Sequence, residues 1–191
     1  MNHLNQLLIE ELQDLYHAEK QLIKALPKMA AAAQNAELAE AFKEHLQETR
    51  THLERIEGAF KALGESPKAK TCKAMQGLIA EGEEIISEHK GSPCVDAALI
   101  SAAQKVEHYE IASYGCVRTW AKLLGEDEAR QLIEETLEEE KAADDKLTQI
   151  ARALSNEKAM DSDEEEPSPR TSRKSCNPRG SQRLGRHSRN M

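Results

Sequence analysis

Five glutamates lie on or beside apolar helical stripes: Glu19, Glu48, Glu107, Glu110 and Glu140. A carboxylate is seldom buried unless it is paired or bound to a metal. Several meeting in one core repel one another, and a cation between them is the simplest way to hold them. Imidazoles lie close by. His45, Glu48 and His52 share about 60° of one helical face at ~100° per residue. Glu48 with His52, at i and i+4, and Glu107 with Glu110, at i and i+3, can each present two ligands from one helix. Mixed carboxylate and imidazole shells suit iron or manganese, and bridging carboxylates offset the charge of a metal pair. The expected ligands of an Fe or Mn pair are Glu19, Glu48, His52, Glu107, Glu110, Glu140 and Asp144, with His45 as the alternative to His52. Redox ions in such a cage would pass electrons from ferrous iron or a substrate to dioxygen or peroxide.

Each residue also has an ordinary reading. A single Glu on a helix is usually a solvated charge, and Glu135, Glu138 and Glu139 read that way. His45 or His52 alone reads as a surface or core-edge histidine. Tyr16, Tyr109 and Tyr114 read as packing groups with a hydrogen-bonded hydroxyl. What sets the acids apart is a shared height and face, and that depends on the helices that carry them.

Leu4, Leu8, Leu12, Leu15, Leu22 and Leu26 predict a first helix from Asn2 to Gln34, kinked or broken at Pro27. A second runs from Glu37 to Leu63 and stops at Gly64. A shorter helix spans Thr71 to His89. Ser92-Pro93 then reads as an N-cap and first-turn proline for a long helix ending at Gly125. The last helix runs from Asp127 to Leu154. The turns near Asn35 and Gly125 are short, so each joins antiparallel neighbours. The middle segment carries a helix of about 28 Å at ~1.5 Å per residue, long enough to return the chain to the other end. Two antiparallel hairpins joined by a long crossover with an extra short helix make an all-α, ferritin-like four-helix bundle. Glu19 lies 16 residues before Asn35, and the same count beyond it reaches Thr51, between Glu48 and His52. Glu107 and Glu110 lie 18 and 15 residues before Gly125, and the same counts beyond it reach Ala143 and Glu140.

Composition agrees with helices: aromatics are 3% of the 191 residues. The expected domains are a bundle over residues 1–157 and a disordered, low-complexity charged tail over 158–191. Residues 1–160 hold 19 Lys and Arg against 29 Asp and Glu, and residues 161–191 hold 7 against 5. An acidic body disfavours nucleic acid, except through the basic stretch Arg170–Arg189. Cys72, Cys94, Cys116 and Cys176 form no CxxC pair and read as reduced thiols of a cytoplasmic protein. No signal pattern or membrane-spanning run is visible.

Four segments carry a resemblance: DLYHAEKQL (Asp14–Leu22), HLQET (His45–Thr49), DAALISAAQKVEHYEIASYG (Asp96–Gly115) and ETLEEEKAADDKLT (Glu135–Thr148). Over about residues 4–154 the chain resembles the YciF-type bacterial stress proteins, a ferritin-like family of largely unknown biochemistry. The resemblance implies a five-helix bundle, a homodimer, and a shape related to rubrerythrin and bacterioferritin. In those relatives the first and third helices each supply a Glu, and the second and fourth each supply ExxH. Glu19, Glu48, Glu107 and Glu140 match the four acids, and Glu110 resembles the extra third-helix Glu of rubrerythrin. This chain departs in two places: Thr51 follows Glu48 at i+3, with His52 at i+4, and Ala143 and Asp144 follow Glu140. Two readings remain open: a stress-response protein holding a metal pair, with oxidative or peroxide-linked chemistry, and a non-enzymatic helical dimer serving as a scaffold or partner-binding module.

Overall fold

The computed structural model describes residues 3–155. The expected tail at 158–191, its basic stretch and the far end of the 1–157 unit lie outside them. Five helices form in order: α1 (His3–Ala32), α2 (Ala36–Ala62), α3 (Lys73–Glu88), α4 (Val95–Leu124) and α5 (Asp127–Ile150). A π-helical turn, Ala151–Ser155, continues α5.

Local chemistry sets the ends. The Asn35 side chain accepts hydrogen bonds from the Glu37 and Leu38 amides at 2.9 and 3.1 Å, capping α2. Helices α2 and α4 close alike. Glu65 N–H donates to Phe60 O and Gly64 N–H to Lys61 O; Glu126 N–H donates to Ala121 O and Gly125 N–H to Lys122 O. In this closure the glycine takes a left-handed φ, +72° at Gly64 and +78° at Gly125, which a Cβ would disfavour.

Three local expectations change. Pro27 does not break α1, which runs on to Ala32. It sits on the exposed face, where water can take the carbonyl that loses its partner, while Leu26 and Met29 stay buried on the other side. Ser92-Pro93 does not open α4. Its residues form a turn, in which Ser92 O accepts from Val95 N–H at 3.1 Å, and the helix starts at Val95. The short helix starts at Lys73, capped by the Cys72 thiol, which accepts from Met75 N–H at 3.3 Å.

Helices α1 and α2 pair, α4 and α5 pair, and α1 packs on α4 as α2 packs on α5. Neighbours are antiparallel: Gln34 near the end of α1 donates to Asp96 at the start of α4, and Arg55 of α2 reaches back to Thr136 of α5. The crossover is shared between two pieces. Extended residues near 70 run along α1, with Lys70 N–H donating to Gln13 O at 3.0 Å. Helix α3 then leans on α1 and α4 to finish the climb. The result is the expected all-α bundle of two hairpins and one long crossover.

The core is split in two. One apolar cluster holds Leu22, Leu26, Leu38, Phe42, Leu99 and Leu147, and the other holds Leu8, Leu12, Leu15, Ile56, Phe60 and Ile133. Burying such a side chain contributes about 1.5–3 kcal/mol, so the two clusters carry the fold. Among the described residues no helix is long and apolar enough to cross a membrane. Because the Asn35 cap satisfies two amides that the helix cannot, Asn35→Ala is expected to lower the unfolding free energy by about 1 kcal/mol in a urea titration.

Candidate metal centre

Between the two apolar clusters lies a polar layer. Glu19 of α1, His45 and His52 of α2, Glu107 and Glu110 of α4, and Glu140 of α5 are all buried, and four of the six are fully enclosed. Their apolar neighbours one or two turns away pull them inward. Glu19 stands between Leu15 and Leu22, and Glu140 between Leu137 and Leu147. The short turns at Asn35 and Gly125 bring the levels together.

The layer forms two groups. His45, Glu107, Glu110 and Glu140 offer one ligand atom each within 4.8 Å of one another, and so do Glu19, His52 and Glu140. Glu140 belongs to both. His45 Nε2 is 3.5 Å from Glu107 and 3.7 Å from Glu140. His52 Nδ1 is 3.0 Å from Glu140 Oε1, out of line for a hydrogen bond, and 3.8 Å from Glu19. Tyr114 donates its hydroxyl proton to Glu19 Oε1.

Each imidazole is oriented from outside. His45 Nδ1 lies 3.2 Å from Glu48, and His52 Nε2 lies 2.8 Å from Glu139. Glu139 is itself clamped by two guanidinium nitrogens of Arg55, at 2.6 and 2.8 Å. An outer N–H donated to a carboxylate leaves the inner nitrogen of a neutral ring as a lone pair facing the layer.

Eight ligand-type atoms of these six residues are buried without a hydrogen-bond partner: His45 Nε2, His52 Nδ1, Glu19 Oε2, Glu107 Oε2, and both carboxylate oxygens of Glu110 and Glu140. An unsatisfied buried polar group costs about 1–3 kcal/mol, more when charged. Protons provide one form of compensation. Burial, then the Glu140 charge, pushes Glu19 up to about 7. Burial pushes Glu107 up to about 8, against the pull of His45. Burial, aided by three neighbouring acids, holds Glu110 well above the carboxylate range. Burial also acts to raise Glu140, but His52 and His45 outweigh it and hold it low. Burial disfavours the charged rings, yet Glu107 foremost drives His45 up to about 10, and Glu140 raises His52. Cations would provide the other: the charge of four carboxylates equals that of two divalent ions, and two imidazoles beside them make a donor set of the kind that suits Fe or Mn.

The structure therefore gathers Glu19, His52, Glu107, Glu110 and Glu140, and adds His45 beside His52 rather than in its place. Two expected ligands stand apart. Glu48 is 47% exposed, at the outer side of His45, because it lies at the edge of its stripe. Asp144, one turn beyond Glu140, leans toward His108 of α4 at 3.5 Å. Glu139, read as a solvated charge, proves to be the outer partner of His52. Its signal was Arg55, one turn past His52 on the helix that faces it. Tyr114, read as a packing group, is buried with its hydroxyl on Glu19.

Comparison with known proteins assigns the chain. Residues 3–160 match the family described as a domain of unknown function, DUF892. The chain is 48% identical to Protein YciF of Escherichia coli K12 over 160 residues, covering 83% of this chain and 96% of that protein. The crystal structure of the E. coli stress protein YciF superposes with a TM-score of 0.76 over 80% of this chain and 96% of the other. YcfI of Rhodopseudomonas palustris, 43% identical, gives 0.75 over 77% and 94%. A protein of Xanthomonas campestris, 23% identical, shares the fold with a TM-score of 0.66 over 85% and 99%. With the family model spanning all the described residues and this level of identity, the chain belongs to the DUF892 family and is a YciF-like protein.

Proposed function

We propose that this protein binds a pair of divalent iron or manganese ions in the polar layer, in the ferritin-like manner, and serves in a stress response. The observation that carries the reading is the set of eight unpartnered ligand atoms converging from four helices, with Glu140 common to both groups. His45, Glu107, Glu110 and Glu140 would hold one ion, and Glu19, His52 and Glu140 the other. Bound iron or manganese would supply redox exchange with dioxygen or peroxide. The residues' own part is to hold charge and position. Glu140 spans both groups, Glu48 and Glu139 fix the two rings, and the apolar clusters keep bulk water out. The stress role rests on what the E. coli relative is called.

A second reading is favoured by the protonation of Glu19 and Glu107 near neutrality. In it, the layer is satisfied by protons alone and the bundle acts as a scaffold. Metal content separates the two. Protein loaded anaerobically with Fe(II) or Mn(II) and desalted is expected to retain about two ions per chain. Glu140→Ala is expected to lose most of them, since it removes a ligand from both groups. Elemental analysis finding no retained metal in the unaltered protein would leave the scaffold reading standing.

The titrations give an independent check. Glu19 and Glu107 have folded values of about 7 and about 8, above their unfolded value of 4.5, so the folded state holds more protons between these limits. His45, raised to about 10, adds to this above 6.5. Stability of the metal-free protein must then fall as pH rises from 5 to 8. Manganese should reverse the trend, because binding replaces those protons. Melting temperatures at pH 5, 6.5 and 8, with and without Mn(II), would nearly coincide at pH 5 and diverge toward pH 8, with the manganese-loaded protein the more stable; a separation that does not grow with pH would contradict metal binding in this layer.

A further inference from the structure

A cavity of about 100 Å³ opens between α2 and α5, directly outside the polar layer. Its floor is His45 and Glu107, both members of the larger ligand group. Its walls are apolar and partly small: Ala41, Phe42, Ala143 and Leu147. Glu48 and Glu139 line it as well, and both are the carboxylates that hold the two rings from outside. At its rim Lys146 of α5 is paired with Glu44 of α2, so the cationic charge there is already met. Two other cavities, one among α1, α3 and α4 and one on the outer face of α5, touch none of the six buried ligand residues.

Taking the metal-pair reading as its basis, we propose that this cavity is the entry route for divalent cations, with Glu48 as the outer acid that receives the ion and hands it past His45 to Glu107. Three features point the same way. The His45 ring joins the two ends of the path: Nδ1 lies on half-exposed Glu48, and Nε2 has no hydrogen-bond partner and faces Glu107 and Glu140. The apolar walls offer no ligand where an ion would stall, whereas the acid at the mouth and the acids at the floor do. Lys146 is engaged by Glu44 and Arg55 by Glu139, so among the described residues Glu48 is the mouth acid that faces no lysine or arginine and can receive a cation. Above and below, the layer is closed by the two apolar clusters, and Glu139 with Arg55 covers the outer side of His52.

Cobalt(II) provides the test, since its visible absorption changes as carboxylate and imidazole replace water, and the full-length chain is used throughout. Stopped-flow mixing reads the uptake rate, and the final absorbance reads occupancy. Ala143→Leu should fill the passage and slow uptake roughly tenfold or more at unchanged final occupancy. Glu48→Gln should slow it about threefold and weaken its dependence on ionic strength. Unaltered rates in both variants, with full occupancy, would overturn the route and leave the metal-pair reading intact. No cobalt uptake by the unaltered protein would overturn both. Should Ala143→Leu lose its final occupancy, Ala142→Leu, at an exposed residue lining the same cavity, decides: slowed uptake supports the route and an unchanged rate overturns it.

Discussion

Four carboxylates withdrawn from water at one level of a helical bundle govern the rest of this structure. Each would be far more stable hydrated, and together they repel. The apolar clusters above and below supply the free energy that holds them there. They also raise the penalty, because the same packing that buries leucines removes the water that would solvate the acids. The layer therefore needs positive charge from some source. Protons on Glu19, Glu107 and Glu110 and charge on His45 and His52 supply it, and bound cations would be an alternative.

The second tier around the layer is as specific as the first. Both histidines use one ring nitrogen on an outer carboxylate and turn the other inward. A ring held this way cannot flip without breaking a charge-assisted contact. In the case of His52, the Arg55 fork fixes that contact in turn. The tyrosine on Glu19 plays a comparable part from α4. A purely structural polar layer would be expected to close on itself, donor to acceptor. Here the outer contacts are made, and the inner nitrogens meet the carboxylates at 3.0 to 3.8 Å without hydrogen-bond alignment.

The helices and their order were legible because apolar periodicity runs unbroken through four of them and short turns leave no choice of neighbour. Counting residues from Asn35 and Gly125 placed the acids at one level for the same reason. Faces were harder. His45 and His52 are seven residues apart, two turns, so both fall on the inner line, while Glu48 between them is rotated to its edge. Asp144 keeps the helical phase of Glu140 and Leu147, yet it lies beside His108 and outside both ligand groups, a placement that spacing alone does not give. Glu139 looked like one more acid in a run of three, and its contact with His52 depends on which helix lies opposite, which periodicity does not encode. Pro27 was legible as a disturbance within one long helix, and the break it offered does not occur because Leu26 and Met29 on the buried face hold α1 together through it.

The two hairpin turns and the crossover place opposite demands on chain length. From Ala36 to His52, and from Asp127 to Glu140, every residue lies on a helix that feeds the layer. One residue gained or lost there would turn the downstream histidines or Glu140 by about 100° and shift them by about 1.5 Å, carrying them out of the layer altogether. The extended stretch before α3 has no such duty; it only has to span. Insertions and deletions among the chain's relatives should therefore gather near residues 65–72 and be absent from the two tight turns, so that length variation itself marks which joints set the geometry of the site.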